Sequence, residues 1–267
     1  MSVDPELRSL DIEIPAQPEV LVKLSVLMAE DEIDLLAVSA LVEGDMALAA
    51  AVLKAVNSSL YGLRGRVQTV HQALTYLGMR EVSAIAFEMS LRAAFPPAAE
   101  LDPVWDRAAK RGLMMGRIGQ MLGIDPWAAH SAGLFEECGK AVLYRHAPQH
   151  YPAMLRAAAT DSELCGLETA AFGVSHDALG AALCESWGLA PAAVASVRHH
   201  VTLQATGEMP EALQRRGVAA ISGIVYTLMN DPDALESQVN LIAPQAQIDP
   251  AAALRAARRV QEQLEAA

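Results

Sequence analysis

The sequence predicts an all-α protein, and three observations carry that prediction. Hydrophobic residues make up 52% of the 267-residue chain, yet aromatics only 4%. That balance suits helices packed closely through Ala and Leu rather than a sheet. No alternating apolar–polar run persists long enough to specify a strand. The dipeptide Asp-Pro recurs at 4–5, 102–103, 125–126, 231–232 and 249–250. Asp accepts hydrogen bonds from the free N–H groups of a first helical turn, and Pro fits the position after it.

The elements follow in order. Val20, Leu21, Leu24, Leu27 and Met28 have helical spacing after Pro18, and Leu35, Leu36, Val38, Leu41 and Val42 repeat it up to Gly44. Asp45 caps a third helix through Leu48, Val52, Leu53 and Val56, which ends in the turn-forming stretch 57–62, NSSLYG. Thr69-x-x-Gln72 reads as a capping box for a helix over 70–77, stopped at Gly78. A longer helix then runs to about Phe95, where Pro96-Pro97 ends it. Asp102-Pro103 opens a helix to about 122, and Pro126 opens one to about Cys138, with Gly139 as its end. Shorter helices start near Pro148, Asp161 and Ser175, and one runs from Pro191 through Arg198, His199 and His200. After a loop at 207–210, helices are expected over 211–229 and 250–264, with a looser stretch, 237–248, between them. The last helix sets Leu254, Ala257, Val260, Gln261 and Leu264 on one face. Such a stripe must bury against the chain's own core or against a second copy in a homodimer.

Charge narrows the function classes. The formal net charge is −12, and the short basic clusters Arg215-Arg216 and Arg255…Arg258-Arg259 read as solvated helix faces. An acidic chain of this kind repels a phosphate backbone, so no nucleic-acid partner is expected. The longest uncharged run, 217–230, falls short of the roughly 20 residues a spanning helix needs. The N-terminus is acidic and lacks an apolar signal segment. Cys138, Cys165 and Cys184 form no CxxC pair and are odd in number, which points to free thiols in a reducing compartment. The expectation is a cytoplasmic protein with no membrane insertion.

The stretch 133–140, GLFEECGK, has the outline of a metal-dependent phosphohydrolase motif that carries His-Asp where this chain has Glu136-Glu137. Around it lie further family-like patterns. Residues 45–86 contain Asp45, Leu53, Asn57, Ser58, Tyr61, Gly62, Ala73, Leu77 and Gly78 in order, after Ile14-Pro15…Pro18. Downstream stand Glu168, Gly173, His176, Gly180, Leu183, Trp187, Leu189 and Pro191, then His199-His200. Together these resemble the HDOD family, a relative of HD-type phosphohydrolases, over about 14–205. The resemblance implies two helical lobes, about 14–100 and 101–205, preceded by the segment 1–13 and followed by a helical tail, 206–267. It also implies a non-catalytic bacterial signalling module.

The resemblance places the first-His position of an HD-type site at Arg107 and the His-Asp positions at Glu136-Glu137. His176, His199 and His200 stand where later ligands would be. Such a site needs neutral imidazoles and carboxylates around a divalent ion that activates water. A guanidinium cannot coordinate, and it repels a divalent cation. Neighbouring Glu136 and Glu137 diverge by about 100° on a helix. The expectation is therefore a vestigial site, with no metal, no cofactor and no catalytic residue, in which an Arg–Glu bridge fills the old cavity. Two alternatives stay open. One is a divergent phosphohydrolase using Glu136, Glu137, His176, His199 and His200. The other is a nucleotide or cyclic-dinucleotide sensor that contacts phosphate through Arg107. Cys138 follows two glutamates and reads as a buried structural thiol.

Without chemistry, function sits on a surface that meets a protein partner. The stretch 57–66 supplies the candidates Asn57, Tyr61, Arg64 and Arg66 on an expected loop. Met114-Met115 and Met121 could form an adaptable patch, although helix core is the plainer reading. The acidic run 30–34 reads as a solvated loop and helix cap.

Overall fold

The computed structural model describes residues 12–28, 34–58, 61 and 67–266. Fourteen α-helices and no strand occur among the described residues. The chain divides into two units: Ala16–Ala94 with Arg259–Ala267, and Met1–Pro15 with Phe95–Arg258.

In the smaller unit, α1 (Glu19–Met28), α2 (Leu35–Glu43), α3 (Met46–Val56) and α4 (Val70–Leu77) gather on α5 (Met79–Ala93). The reason is apolar content: α5 buries every residue from Val82 to Glu88 and again Ser90 and Leu91. Leu21, Leu24, Val38, Val42, Val52 and Val56 are the wholly buried partners at helical spacing that the sequence marked. Asp45 Oδ1 accepts from Ala47 N and Leu48 N at 2.8 and 3.1 Å. The expected box at α4 is shifted. Thr69 Oγ1 accepts from Gln72 N at 3.1 Å, but Gln72 Oε1 accepts from Gln68 N at 2.8 Å rather than from Thr69. Gly78 takes φ 81°, the positive-φ turn that ends one helix and opens the next.

Asn57 has a structural task. Its side-chain amide donates to Leu53 O and Val67 O at 2.9 and 2.7 Å, and its Oδ1 accepts from Val67 N at 3.2 Å. These bonds tie the end of α3 to Val67, so the side chain is already spent. Tyr61 is half-buried, and Arg64 and Arg66 lie outside the described residues, as do 30–33 of the acidic run.

The larger unit is built around a deeply buried helix. Here α6 (Asp102–Leu122) pairs with α7 (Pro126–His146), and α8 (Tyr151–Ala157), α9 (Asp161–Phe172), α10 (His176–Ser186), α11 (Pro191–Thr206) and α12 (Leu213–Asn230) follow. Every residue of α7 from Ala128 to Leu143 is buried. The expected end at Cys138 is therefore wrong: Gly139 lies within α7, which continues two more turns. Gly139 is there for proximity. A Cβ at this position would sit 1.8 Å from the carbonyl oxygen of His176, at the start of α10. A Cβ on Gly133 would sit 2.7 Å from Gly112 N and Cα on α6. Two helices thus press their backbones directly on α7.

Two further expectations are corrected, and one is borne out. Asp102 is the first residue of α6, and the cap position before it is Leu101. Met114 and Met115 are helix core, as the plainer reading had it, while Met121 is exposed. The stretch 237–248 is not loose: α13 (Leu235–Ile242) and a 3-10 turn, Ala243–Ala246, fill most of it. Ile242 joins Leu203, Met209, Ala219 and Ala220 in a cluster with α11 and α12. The uncharged run 217–230 is the body of α12, which packs on α11, α6 and α7, so this part of the expected tail is core. In α14 (Pro250–Glu265), Ala253, Ala256, Ala257 and Val260 are buried, while Leu254, Gln261 and Leu264 are half-buried. No single helix among the described residues is long and apolar enough to cross a membrane.

Candidate functional site

One face of α6 presents Arg107 and Arg111, four residues apart and hence on the same side of the helix. Opposite them α7 presents Glu136, Glu137 and Lys140, all at least 98% buried. The adjacent glutamates diverge, as helical geometry requires, and take different cations. Arg111 Nη1 meets Glu136 Oε2 at 2.6 Å, and Ser196 Oγ of α11 donates to Glu136 Oε1 at 3.1 Å. Glu137 Oε2 receives both Arg107 Nη2 at 3.2 Å and Lys140 Nζ at 2.9 Å. Lys140 then reaches Asp161 Oδ1 of α9 at 2.8 Å. Arg111 also lies 5.9 Å from the ring centroid of Tyr226 on α12.

These contacts set the charge states. Burial would raise the Glu137 carboxyl, but Lys140, Arg111 and Arg107 outweigh it and hold the group well below the usual carboxylate range. Burial likewise works against Asp161, yet Lys140 brings it down to about 2. Lys140 itself is disfavoured by burial and restored above its ordinary value by Glu137 and Asp161. Carboxylates depressed in the folded state contribute stability above their unfolded pKa and lose it as the pH falls through the folded one. The urea midpoint is therefore expected to drop as pH falls from the ordinary values of 4.5 and 3.8 toward about 2. In Lys140→Met, where a depressing cation is gone, the acid-side loss should be smaller and complete at higher pH. A transition at unchanged pH would show that the cation does not set it.

A second layer lies behind this row. Glu168 of α9 accepts from the backbone N–H of His176 and pairs with His176 Nδ1, each at 2.7 Å. Tyr151 donates to its other oxygen at 2.5 Å. The expected cap residue Ser175 makes no cap bond and turns its hydroxyl to Asp177. His200 is buried with Nδ1 2.6 Å from Val197 O, and its ring centroid lies 5.5 Å from that of His176. Burial lowers its pKa, which favours the neutral ring. His199, the next residue, is half-exposed and makes no hydrogen bond or ion pair among the described residues.

Arg107, Glu136 and Glu137, at the first-His and His-Asp positions, do not fit a divalent cation. Arg107 and Lys140 converge on the same Glu137 oxygen that would coordinate it, and Arg111 holds Glu136. The sequence placed Arg107 against the glutamate pair but gave Arg111 no role, although the spacing Arg107-x3-Arg111 was visible. Lys140 and Asp161 were also passed over, because a lone Lys and a helix-starting Asp carry no local signal. Cys138 is buried, and its thiol pKa is pushed well up by burial and by Glu137.

In front of the charged row opens a cleft of about 500 Å³ lined by Arg107, Lys110, Glu137, Thr160, Asp161 and Tyr226, among others. The HDOD domain family matches residues 14–203, more than half of the chain. The chain belongs to the HDOD family. An uncharacterised protein of Treponema pallidum (strain Nichols) is 25% identical to this HDOD chain over 199 residues. That match takes in 72% of this chain but only 38% of the relative, so the chain spans well under half the length of the curated relative it matches. Three solved structures share the fold. An HDOD domain protein of unknown function from Geobacter sulfurreducens matches with TM-score 0.72 at 18% identity, covering 98% of each chain. A protein from Marinobacter aquaeolei VT8 named for signal transduction matches with TM-score 0.72 at 22% identity, over 95% of this chain and 58% of that one. A protein from Shewanella amazonensis SB2B named as a phosphohydrolase matches with TM-score 0.67 at 19% identity, over 97% and 94%.

Proposed function

We propose that this HDOD chain is a non-hydrolytic regulatory module of bacterial signal transduction that acts by binding a protein partner in the cytoplasm. One observation carries the reading: where an HD-type enzyme needs a cation held by ligands, this chain supplies its own cations. Arg111–Glu136 and Arg107–Glu137–Lys140 neutralise one another across the gap between α6 and α7. A water-activating metal would have to displace guanidinium and ammonium groups from buried carboxylates. The Marinobacter likeness supports the signalling class, and the matched region is only part of both that protein and the Treponema relative. A module that recurs inside longer chains suits regulation by contact.

The test is turnover. Purified protein is incubated with Mn²⁺, Fe²⁺, Ni²⁺ or Zn²⁺ and offered an aryl phosphodiester, nucleotides and cyclic dinucleotides. No hydrolysis above the buffer rate is expected. Metal-dependent hydrolysis that disappears in a folded Glu137→Ala variant would overturn the reading and revive the phosphohydrolase.

A further inference from the structure

One cation of the charged row is loosely held. Glu137 keeps Lys140 at 2.9 Å, with the two side chains 1% and 2% exposed. Arg107 reaches the same oxygen at 3.2 Å with its side chain 46% exposed. That contact is its one hydrogen bond among the described residues, so most of the guanidinium donors are free. Three positions on, Lys110 is exposed and makes no hydrogen bond or ion pair among the described residues. One position further, Arg111 is buried, and its Nε has no hydrogen-bond partner. Spacings of three and four set these cations on one face of α6, and all three line the cleft of about 500 Å³. A volume of that size is typical of a small-molecule site.

We infer that this cleft binds a small organic monoanion, a carboxylate on an apolar body, with its oxygens taken by the Arg107 fork and by Lys110. Geometry favours the group. A planar guanidinium matches a carboxylate with two parallel hydrogen bonds. Arg107 can turn to a ligand without orphaning Glu137, because Lys140 stays on that carboxylate. The other pairs of the row are shorter and buried, so they hold the wall while Arg107 responds.

Charge sets the valence. Arg107, Lys110, Arg111 and Lys140 are balanced by Asp106, Glu136, Glu137 and Asp161. A balanced cleft tolerates one added negative charge at its exposed cations. A phosphate monoester brings nearly two and sets the excess against Glu137 and Asp161. The body of the ligand has its own surface: Leu155, Leu164 and Met229 line the same cleft beside the Tyr226 ring. The Tyr226 hydroxyl makes no hydrogen bond among the described residues and is open to a polar substituent. Such a ligand gives a regulatory module its input, and nothing in its recognition depends on whether the chain hydrolyses phosphoesters.

The experiment is a binding titration of the full chain by fluorine NMR with para-trifluoromethylbenzoate, its neutral amide and para-trifluoromethylphenyl phosphate. The carboxylate should bind at least about 10-fold tighter than the amide and no more weakly than the phosphate. Propionate, which has the charge without the body, should compete at least about 10-fold less well. Arg107→Met should weaken the carboxylate by about 10–100-fold, Lys110→Met by roughly 2–5-fold, and the distant Lys54→Met not at all. Should Arg107→Met fail to fold, the exposed Lys110, joined to no other side chain, carries the test in Lys110→Glu, which should abolish binding. No carboxylate binding, equal binding of the amide, tighter binding of the phosphate, equal competition by propionate, or binding unmoved by these substitutions overturns the site. Metal-dependent hydrolysis of the phosphate probe would sink the non-hydrolytic reading and leave the carboxylate result standing, so the two failures are distinguishable.

Discussion

Replacing Arg111 with Met is expected to cost about 3–5 kcal/mol, because it leaves Glu136 ionised and wholly buried without its cation. Equilibrium urea unfolding measures it. The loss includes the contact of the guanidinium with the Tyr226 ring, which is worth about 0.5–2 kcal/mol at such sites. The double variant Arg111→Met/Glu136→Leu should recover most of the stability, since well-packed apolar side chains often replace a buried ion pair at little cost. Recovery should stop short of complete, because the Ser196 hydroxyl loses its acceptor. A single variant as stable as the parent chain would mean that Glu136 finds another cation or a proton without penalty.

Gly139→Ala is expected to be at least as severe, at roughly 3 kcal/mol or more, the upper end of overpacking. The added methyl would overlap the carbonyl oxygen of His176 at 1.8 Å, with the carbonyl carbon at 2.6 Å. Both atoms are backbone, so no side chain can swing aside, and α10 would have to move. The matched control is Gly166→Ala in α9. It has nothing within 4 Å of the new methyl and should gain about 0.5–1 kcal/mol from helix propensity. Thermal unfolding of the pair separates backbone proximity from any general intolerance of these helices.

The two glycines show what a sequence can and cannot convey here. Helix type and order were legible because apolar spacing and Asp, Thr and Pro caps are local signals. Asp45 and Asp125 cap as their neighbours imply. Gly139 was misread as a stop because a stop is the local meaning of glycine, whereas its actual reason is a carbonyl 37 positions away. The site divides the same way. The family-like positions Arg107, Glu136, Glu137, His176 and His200 do gather within one unit. Their partners Arg111, Asp161, Glu168 and Ser196 become visible only once α6, α9 and α11 are laid against α7. Asn57 shows the converse, since a polar residue in a loop suggested recognition until its three bonds to Leu53 and Val67 were seen.

The source of the cations in the α6–α7 gap has a consequence for when the protein becomes whole. A centre whose carboxylates wait for metal is assembled only as fast as the cell can supply that metal, and its chains stay incomplete in times of scarcity. Glu136 and Glu137 are neutralised by Arg111, Arg107 and Lys140, which leave the ribosome on the same polypeptide. The interior charge is balanced from birth, in equal measure in starved and replete cells.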